Sequence, residues 1–332
     1  MTTPVRRRQA LPGLRAAAFV VAALAATLGL AACTGEPEAP ETPAPVVAVS
    51  GDFGGVPTLT YTPPLTFPDR RSAVVWEGDG PELTDGSTVL LDLLAQDASD
   101  GSSVMNTHDS LPEVYTFDET LLGPSLYDLL DGQRAGARLL LTETSNGTPL
   151  ALVVDVLAGR ASGEAVANDD SSLPTVTLGA DGAPSVRIPK DVKPPTSVVA
   201  RTLVRGERDQ VTAGQTAIVQ YTAVAWSTGE VIDTTWSRGR APFVTLVGDS
   251  KPVAAWNLGL IEQRVGSQVL IVAPPSAAYG GTDSPWADET VVYVVDILHA
   301  STLVAPDVEP DGSDEATDGS DDGTEKPAKE NS

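Results

Sequence analysis

The chain has 332 residues, enough for two domains of ordinary size with linkers, and 41% of them are hydrophobic, as in a globular protein. A formal charge of −24 argues against a nucleic-acid binder, because no surplus of Lys or Arg remains to neutralise phosphates. Cys33 is the one cysteine, so no intramolecular disulfide can form and an exported domain must hold together by packing alone.

At the N-terminus Arg6, Arg7 and Arg8, with Arg15, precede an apolar run from Ala16 to Leu30 that stops at Leu30-Ala31-Ala32-Cys33. The run is Ala-rich and shorter than the roughly 20 strongly apolar residues of a membrane span, so residues 1–32 read as an export signal. The stretch ending at Cys33 resembles the lipobox of bacterial lipoproteins, in which the cysteine becomes the lipidated first residue of the mature protein. That resemblance implies a lipid on Cys33 and a protein anchored at the extracytoplasmic face of the cell membrane. An ordinary signal peptide, or an uncleaved anchor with an incidental cysteine, is the alternative. Residues 33–53 continue as a Pro/Glu-rich tether, whose prolines favour an extended spacer of about 3.1 Å per residue.

Residues 54–158 carry strand-like runs such as Ser72-Ala73-Val74-Val75-Trp76 and Thr88-Val89-Leu90-Leu91-Asp92-Leu93. Asp79-Gly80, Asp85-Gly86, Asp100-Gly101 and Asn146-Gly147 punctuate them as turns between antiparallel strands. A short helix is predicted from Ser125 to Leu130 with Ser125 as its cap, and 150–157 read as a buried strand. Residues 159–183, rich in Gly, Asp, Ser and Ala, read as a linker.

A second globular region over 184–300 repeats the first. Gly55-Val56-Pro57-Thr58-Leu59 answers Gly182-Ala183-Pro184-Ser185-Val186, and Gln133-Arg134-Ala135-Gly136 answers Gln263-Arg264-Val265-Gly266. Ala151-Leu152-Val153-Val154-Asp155-Val156-Leu157 answers Val292-Tyr293-Val294-Val295-Asp296-Ile297-Leu298. Three matches in the same order predict an internal duplication. The tail over 301–332 alternates Asp, Glu, Gly, Ser and Thr and is too polar to repay the entropy of ordering. Its Asp318-x-Ser320-x-Asp322-Gly323 lacks the twelfth-position acid of a calcium loop, since Lys329 stands there, so no metal is expected. His108 and His299 are isolated, and no cofactor is implied.

Aromatic residues, only 5% of the chain, gather in the second copy. Ala217-Ile218-Val219-Gln220-Tyr221-Thr222, Gly229-Glu230-Val231-Ile232-Asp233-Thr234-Thr235 and Pro242-Phe243 lead to Trp256 with Gly259-Leu260. Val265-Gly266, Ala278-Tyr279-Gly280 and Val292-Tyr293-Val294-Val295 follow. This ordered set, over about 195–300, resembles the FKBP-type peptidyl-prolyl cis-trans isomerases. The resemblance implies an α+β fold of two FKBP-like domains, each an antiparallel sheet of about five strands curled around a short helix. It further implies that Trp256 is the floor on which a prolyl ring rests and that Tyr221, Ile232, Phe243, Val253 and Tyr293 line the walls. Asp233 would sit at the rim with Arg238 as its partner, and Tyr279 would offer a hydroxyl to the substrate carbonyl. The catalytic set is then Tyr221, Asp233, Trp256 and Tyr279, acting on proline-containing exported polypeptides without metal or cofactor. A core role for Phe243 and Tyr293 is the alternative.

The second copy departs from the family in its flap: Gly281-Thr282-Asp283-Ser284-Pro285-Trp286-Ala287-Asp288-Glu289 is shorter and acidic, with Trp286 the one residue able to replace the usual aliphatics. Ala255 stands where a glycine is usual, and Pro252 is unusual at the helix entry. In the first copy the alignment sets Asp92 against Tyr221, Met105 near Asp233 and Leu126 at Trp256, and the Ala-Tyr-Gly is missing, so no activity is expected there. Loss of turnover in both copies, leaving a polypeptide-binding or chaperone lipoprotein, is the rival reading.

Overall fold

The computed structural model describes residues 47–237, 240–249 and 254–302. Cys33, the predicted signal and most of the tether and tail lie outside the described residues, among which no helix is long and apolar enough to cross a membrane.

In the first half the chain forms β1 (Ala48–Ser50), β2 (Thr58–Thr60), β3 (Arg71–Trp76), β4 (Thr88–Asp97), β5 (Ser103–Asn106) and β6 (Glu113–Thr116). Helices α1 (Glu119–Leu122) and α2 (Pro124–Leu130) come next, then β7 (Arg138–Ser145) and β8 (Thr148–Leu157). The second half forms β9 (Gly163–Ala165), β10 (Thr175–Leu178), β11 (Pro184–Arg187), β12 (Val199–Gly206), β13 (Thr216–Ala225), β14 (Val231–Thr234) and β15 (Phe243–Leu246). Helix α3 (Ala254–Leu260), β16 (Gln268–Ala273) and β17 (Val291–Ser301) complete it.

The duplication extends to topology. One sheet runs β3-β7-β8-β4-β5 with β6 also on β4; the other runs β12-β16-β17-β13-β14 in the same order, with β15 on β13 and β9 added at the outer edge. The sheets therefore hold six and seven strands rather than about five. The reason is length: β4 and β13 are ten residues each, so one edge of each accepts two short partners end to end. In both copies the shared glycine, Gly136 or Gly266, closes the turn after the helix at positive φ, +97° or +94°, where a side chain would be strained.

Alternation along each strand separates two faces. Val89, Leu91 and Leu93 of β4 pack with Leu129 and Leu130 of α2, while Leu94 on the opposite face packs with Val47, Phe67 and Val153, partly covered by the β1–β2 hairpin through Val49 and Leu59. The second copy repeats this: Trp256 and Leu260 of α3 meet Val219, Val269 and Ile271, and the β10–β11 hairpin covers Val224, Leu270 and Val292 with Val176 and Val186. Residues 159–183 are thus not a bare linker. They supply β9, β10 and the buried Leu173, which the polar composition concealed because only alternate residues face inward. Helix α2 also differs from expectation: its N-cap is Gly123, and the Ser125 hydroxyl instead accepts from Arg70 and donates to Glu143.

Between these apolar layers, the middle of each back face is polar. Asp92, Asp155 and Arg138 lie in register across β4, β8 and β7; Gln220, Asp296 and Gln268 lie in the equivalent register across β13, β17 and β16. This register corrects the sequence alignment by one residue, so that Leu93 and not Asp92 is the counterpart of Tyr221. Arg138 forks onto both oxygens of Asp155 at 2.5 and 2.6 Å and also donates to the carbonyls of Gly51, Asp52 and Gly55. In the second copy Asp296 accepts from Gln268 at 2.8 Å and from the Ala161 backbone at 2.7 Å, while Gln220 donates to the Gly159 carbonyl. Just beyond the polar centres, Leu90 and Leu157 of one copy bury themselves against Ile218 and Leu298 of the other.

Asp296 has no cation in its fork, and burial pushes its carboxyl up to about 6, against the lowering pull of Ala161, Gln268 and Arg160. The folded state therefore holds a proton that the unfolded chain, near its ordinary value of about 3.9, has released. The resulting stabilisation is complete below about pH 4 and is lost as the pH rises to about 6. Urea titrations across this window should show the native protein losing roughly 2 to 3 kcal/mol relative to Asp296→Asn; parallel pH profiles for the two proteins would refute this.

Candidate active site

Helix α3 is short, and its position comes from packing rather than propensity. Ala255, Trp256, Gly259 and Leu260 form its buried stripe, while Leu258 faces out. A Cβ on Gly259 would stand 2.2 Å from Ile271 Cδ1, so glycine lets the helix lie directly on β16. Asn257 fixes the entry to the helix by accepting from the Gly248 backbone at 2.9 Å and donating to the Asp249 carbonyl at 2.6 Å. These contacts hold the Trp256 indole against the sheet, 3% exposed.

Three further rings meet that indole edge to face. Tyr221 from β13 lies with its centroid 5.1 Å away, Tyr293 from β17 at 5.8 Å and Phe243 from β15 at 5.9 Å, with interplanar angles between 71° and 89°. Tyr221 and Phe243 also meet each other at 6.0 Å. Such edge contacts add about 0.5–1.5 kcal/mol per pair beyond area burial. Ile232 and Tyr279 pack against the same cluster, partly buried. The Trp256 indole N–H is buried and finds no hydrogen-bond partner among the described residues, a rare condition in a core.

The rim is ionic. The Tyr221 hydroxyl donates to one oxygen of Asp233, and Arg240 Nη1 donates to the other at 2.6 Å. Burial works to raise the Asp233 carboxyl, but the bonds from Tyr221 and Arg240 outweigh it and hold the group below its usual value. Burial and the Asp233 bond push the Tyr221 phenol well up, and burial, with Tyr279 beside it, does the same to Tyr293, so both rings stay neutral at working pH. Thr235 holds the assembly from behind by accepting from the Tyr221 backbone at 2.9 Å.

Tyr221, Asp233, Trp256, Ile232, Phe243, Tyr279 and Tyr293 are therefore gathered around one point. Arg238 and Val253 lie outside the described residues, and the partner of Asp233 is Arg240, two residues further along the same Arg-Gly-Arg. Spacing alone could not separate the two arginines. Trp286 is half-buried in the turn after Ser284 and is not among the residues packed on the Trp256 cluster. Thr235 was not singled out in sequence, because a threonine beside a strand gives no signal of its own.

Residues 207–298 match the model of the FKBP-type peptidyl-prolyl cis-trans isomerases. A probable FK506-binding protein of Corynebacterium glutamicum is 31% identical over 119 residues, 35% of this chain and 98% of that protein. The chain belongs to the FKBP family. Its activity is that of a peptidyl-prolyl cis-trans isomerase. An FK506-binding protein of Streptomyces anulatus is likewise 31% identical over 110 residues, 32% of this chain and 88% of its own. Among solved structures, the three FKBP domains of wheat FKBP73 match 70% of this chain and 94% of theirs at 18% identity and a TM-score of 0.29.

The first copy of this FKBP chain places other residues at the equivalent register positions: Leu93 for Tyr221, Met105 for Asp233, Glu113 for Phe243 and Leu152 for Tyr293. Leu126 stands in α2 where Trp256 stands in α3. None of these five positions holds an aromatic residue; the rings of that copy's core are Phe117 and Tyr127, stacked 4.8 Å apart, with Tyr115 against the same cluster.

A carboxyl titration of Asp233 followed by NMR should give a midpoint below the ordinary value of about 3.9, and Arg240→Met should raise it. A midpoint moved by Arg238→Met and not by Arg240→Met would reassign the partner.

Proposed function

We propose that isomerisation takes place in the second copy alone, at the Trp256 cluster, and that the substrates are proline-containing exported polypeptides met at the outer face of a membrane to which Cys33 is lipid-anchored. The observation that carries the reading is the aromatic floor with an Asp233 rim in one copy, set against Leu93, Met105, Glu113, Leu126 and Leu152 at the same positions in the other.

The chemistry asks little beyond such a pocket. Rotation about a prolyl amide must break resonance at a cost of about 18–20 kcal/mol, and it takes tens to hundreds of seconds unaided. A site accelerates it by holding the twisted amide better than the planar one. A dry aromatic surface disfavours the charge-separated planar form, and donors fixed at the rim meet the carbonyl as it turns. Trp256 supplies the surface for the ring, Tyr221, Phe243 and Tyr293 enclose it, and Tyr279 stands beside them with its hydroxyl available. Asp233, tied to Tyr221 and Arg240, fixes the rim without being consumed, so neither nucleophile nor metal enters a step.

For the setting, the support is the sequence before residue 34. A lipid on Cys33 would contribute about 0.8 kcal/mol per buried CH₂.

In a prolyl isomerisation assay on a short peptide, Trp256→Leu, shown to be folded by circular dichroism, should lose at least about tenfold in kcat/KM, equivalent to about 1.4 kcal/mol of transition-state stabilisation. Leu126→Ala in the first copy should lose none. A folded Trp256→Leu protein with full activity would move catalysis elsewhere, and a wild-type protein that does not accelerate the peptide would favour the polypeptide-binding reading. For the anchor, Cys33→Ser should leave the protein unlabelled by radioactive palmitate in bacterial cells and free of the membrane fraction; equal labelling of both proteins would refute lipidation at Cys33.

A further inference from the structure

The loop that carries Arg240 lies between the two copies. Arg240 and Trp236 of that loop, with Arg160 from the connection between the copies, face Glu82, Thr84 and Thr116 of the first copy across a hollow of about 80 Å³. Arg240 is thus shared: its guanidinium holds Asp233 at 2.6 Å and also lines this hollow. From the indole of Trp256 the contacts run without a break through Tyr221, Asp233 and Arg240 to the gap between the copies.

We propose that this hollow is a subsite for a substrate residue flanking the prolyl bond, so that the first copy, which has no floor of its own, forms one wall of the extended site of the second. The proposal rests on the isomerase reading of the second copy. Two features define the occupant. The volume is that of one side chain or one peptide unit, since a water occupies about 30 Å³ in the liquid and a benzene-sized cavity is about 150 Å³. Both signs of charge face it, Glu82 and Asp181 with Arg160 and Arg240, which suits a dipolar peptide unit better than a side chain carrying net charge.

In this proposal a peptide leaves the Trp256 floor past Asp233 and meets the hollow at Arg240, which belongs to both. A tetrapeptide ends before it, whereas an unfolded protein does not. Binding energy gained at such a remote point is available to the reacting centre only for the longer substrate.

The test compares kcat/KM on a chromogenic tetrapeptide with catalysis of a proline-limited protein refolding reaction, using the whole protein. Thr84→Trp and Thr116→Trp, each checked for folding by circular dichroism, fill the hollow from the first copy, and Thr84→Ala leaves it open. In the filled variants the ratio of protein to tetrapeptide efficiency is expected to fall about five- to tenfold, with Thr84→Ala keeping the wild-type ratio. A ratio unchanged in both filled variants overturns the subsite, whether the two efficiencies hold or fall together, because a role confined to supporting the Arg240 loop would move both alike. A wild-type protein inactive on the tetrapeptide would sink the isomerase reading itself, and the subsite with it.

Discussion

Each half of this protein is built around a carboxylate at the middle of its last long strand, and the way that carboxylate is answered decides how the half is tied to the chain before it. A bare charge in such a place costs several kcal/mol, so it must be paired or protonated. Asp155 takes the first route: the Arg138 fork neutralises it and spends its remaining N–H groups on the carbonyls of Gly51, Asp52 and Gly55. Asp296 has no such fork: it accepts from Gln268 and the Ala161 backbone, and burial raises its carboxyl to about 6, so it takes up a proton on mild acidification. In both halves the polar centre reaches outward to the entering segment, which places the β1–β2 hairpin and the connection between copies.

The faces that do not carry this polar centre have diverged most. On the helix side Leu93, Leu126 and Leu152 stand in the first copy where Tyr221, Trp256 and Tyr293 stand in the second, and the first copy's own rings, Phe117 and Tyr127, sit elsewhere in its core, yet the strand order and the turn glycines are the same. The scaffold is indifferent to the exchange because Leu93 and Leu152 satisfy the burial that Tyr221 and Tyr293 satisfy, without the hydroxyls that must find a use. The unpartnered Trp256 N–H shows the other side of this: a core optimised for stability alone would not contain it.

The duplication, the long strands and the aromatic cluster were legible in the sequence because each rests on a local pattern: three ordered matches, period-two alternation and rare residues at fixed order. What the sequence concealed depended on register or on edges. Asp92 was set against Tyr221 because counting from a shared glycine ignores a one-residue difference that the pairing of Asp92 with Asp155 reveals. Residues 159–183 read as linker since Gly163–Ala165 and Leu173 are ordered only by the edge of β12 and the face of the second sheet, which lie elsewhere in the chain. That Arg240 reaches Asp233 was invisible for the same reason, since it depends on backbone path and not on spacing.

The contact between the copies uses the same positions from each. Leu90 corresponds to Ile218 and Leu157 to Leu298, two residues to either side of the matched polar register, so the junction has the logic of a two-fold dimer interface drawn within one polypeptide. Two separate subunits meeting through such a patch would part on dilution. Covalent linkage removes that dependence, because the effective concentration of one copy around the other is set by the short connection through Gly159 to Ser162 and not by how much protein is present. A dilute protein therefore keeps its two halves together.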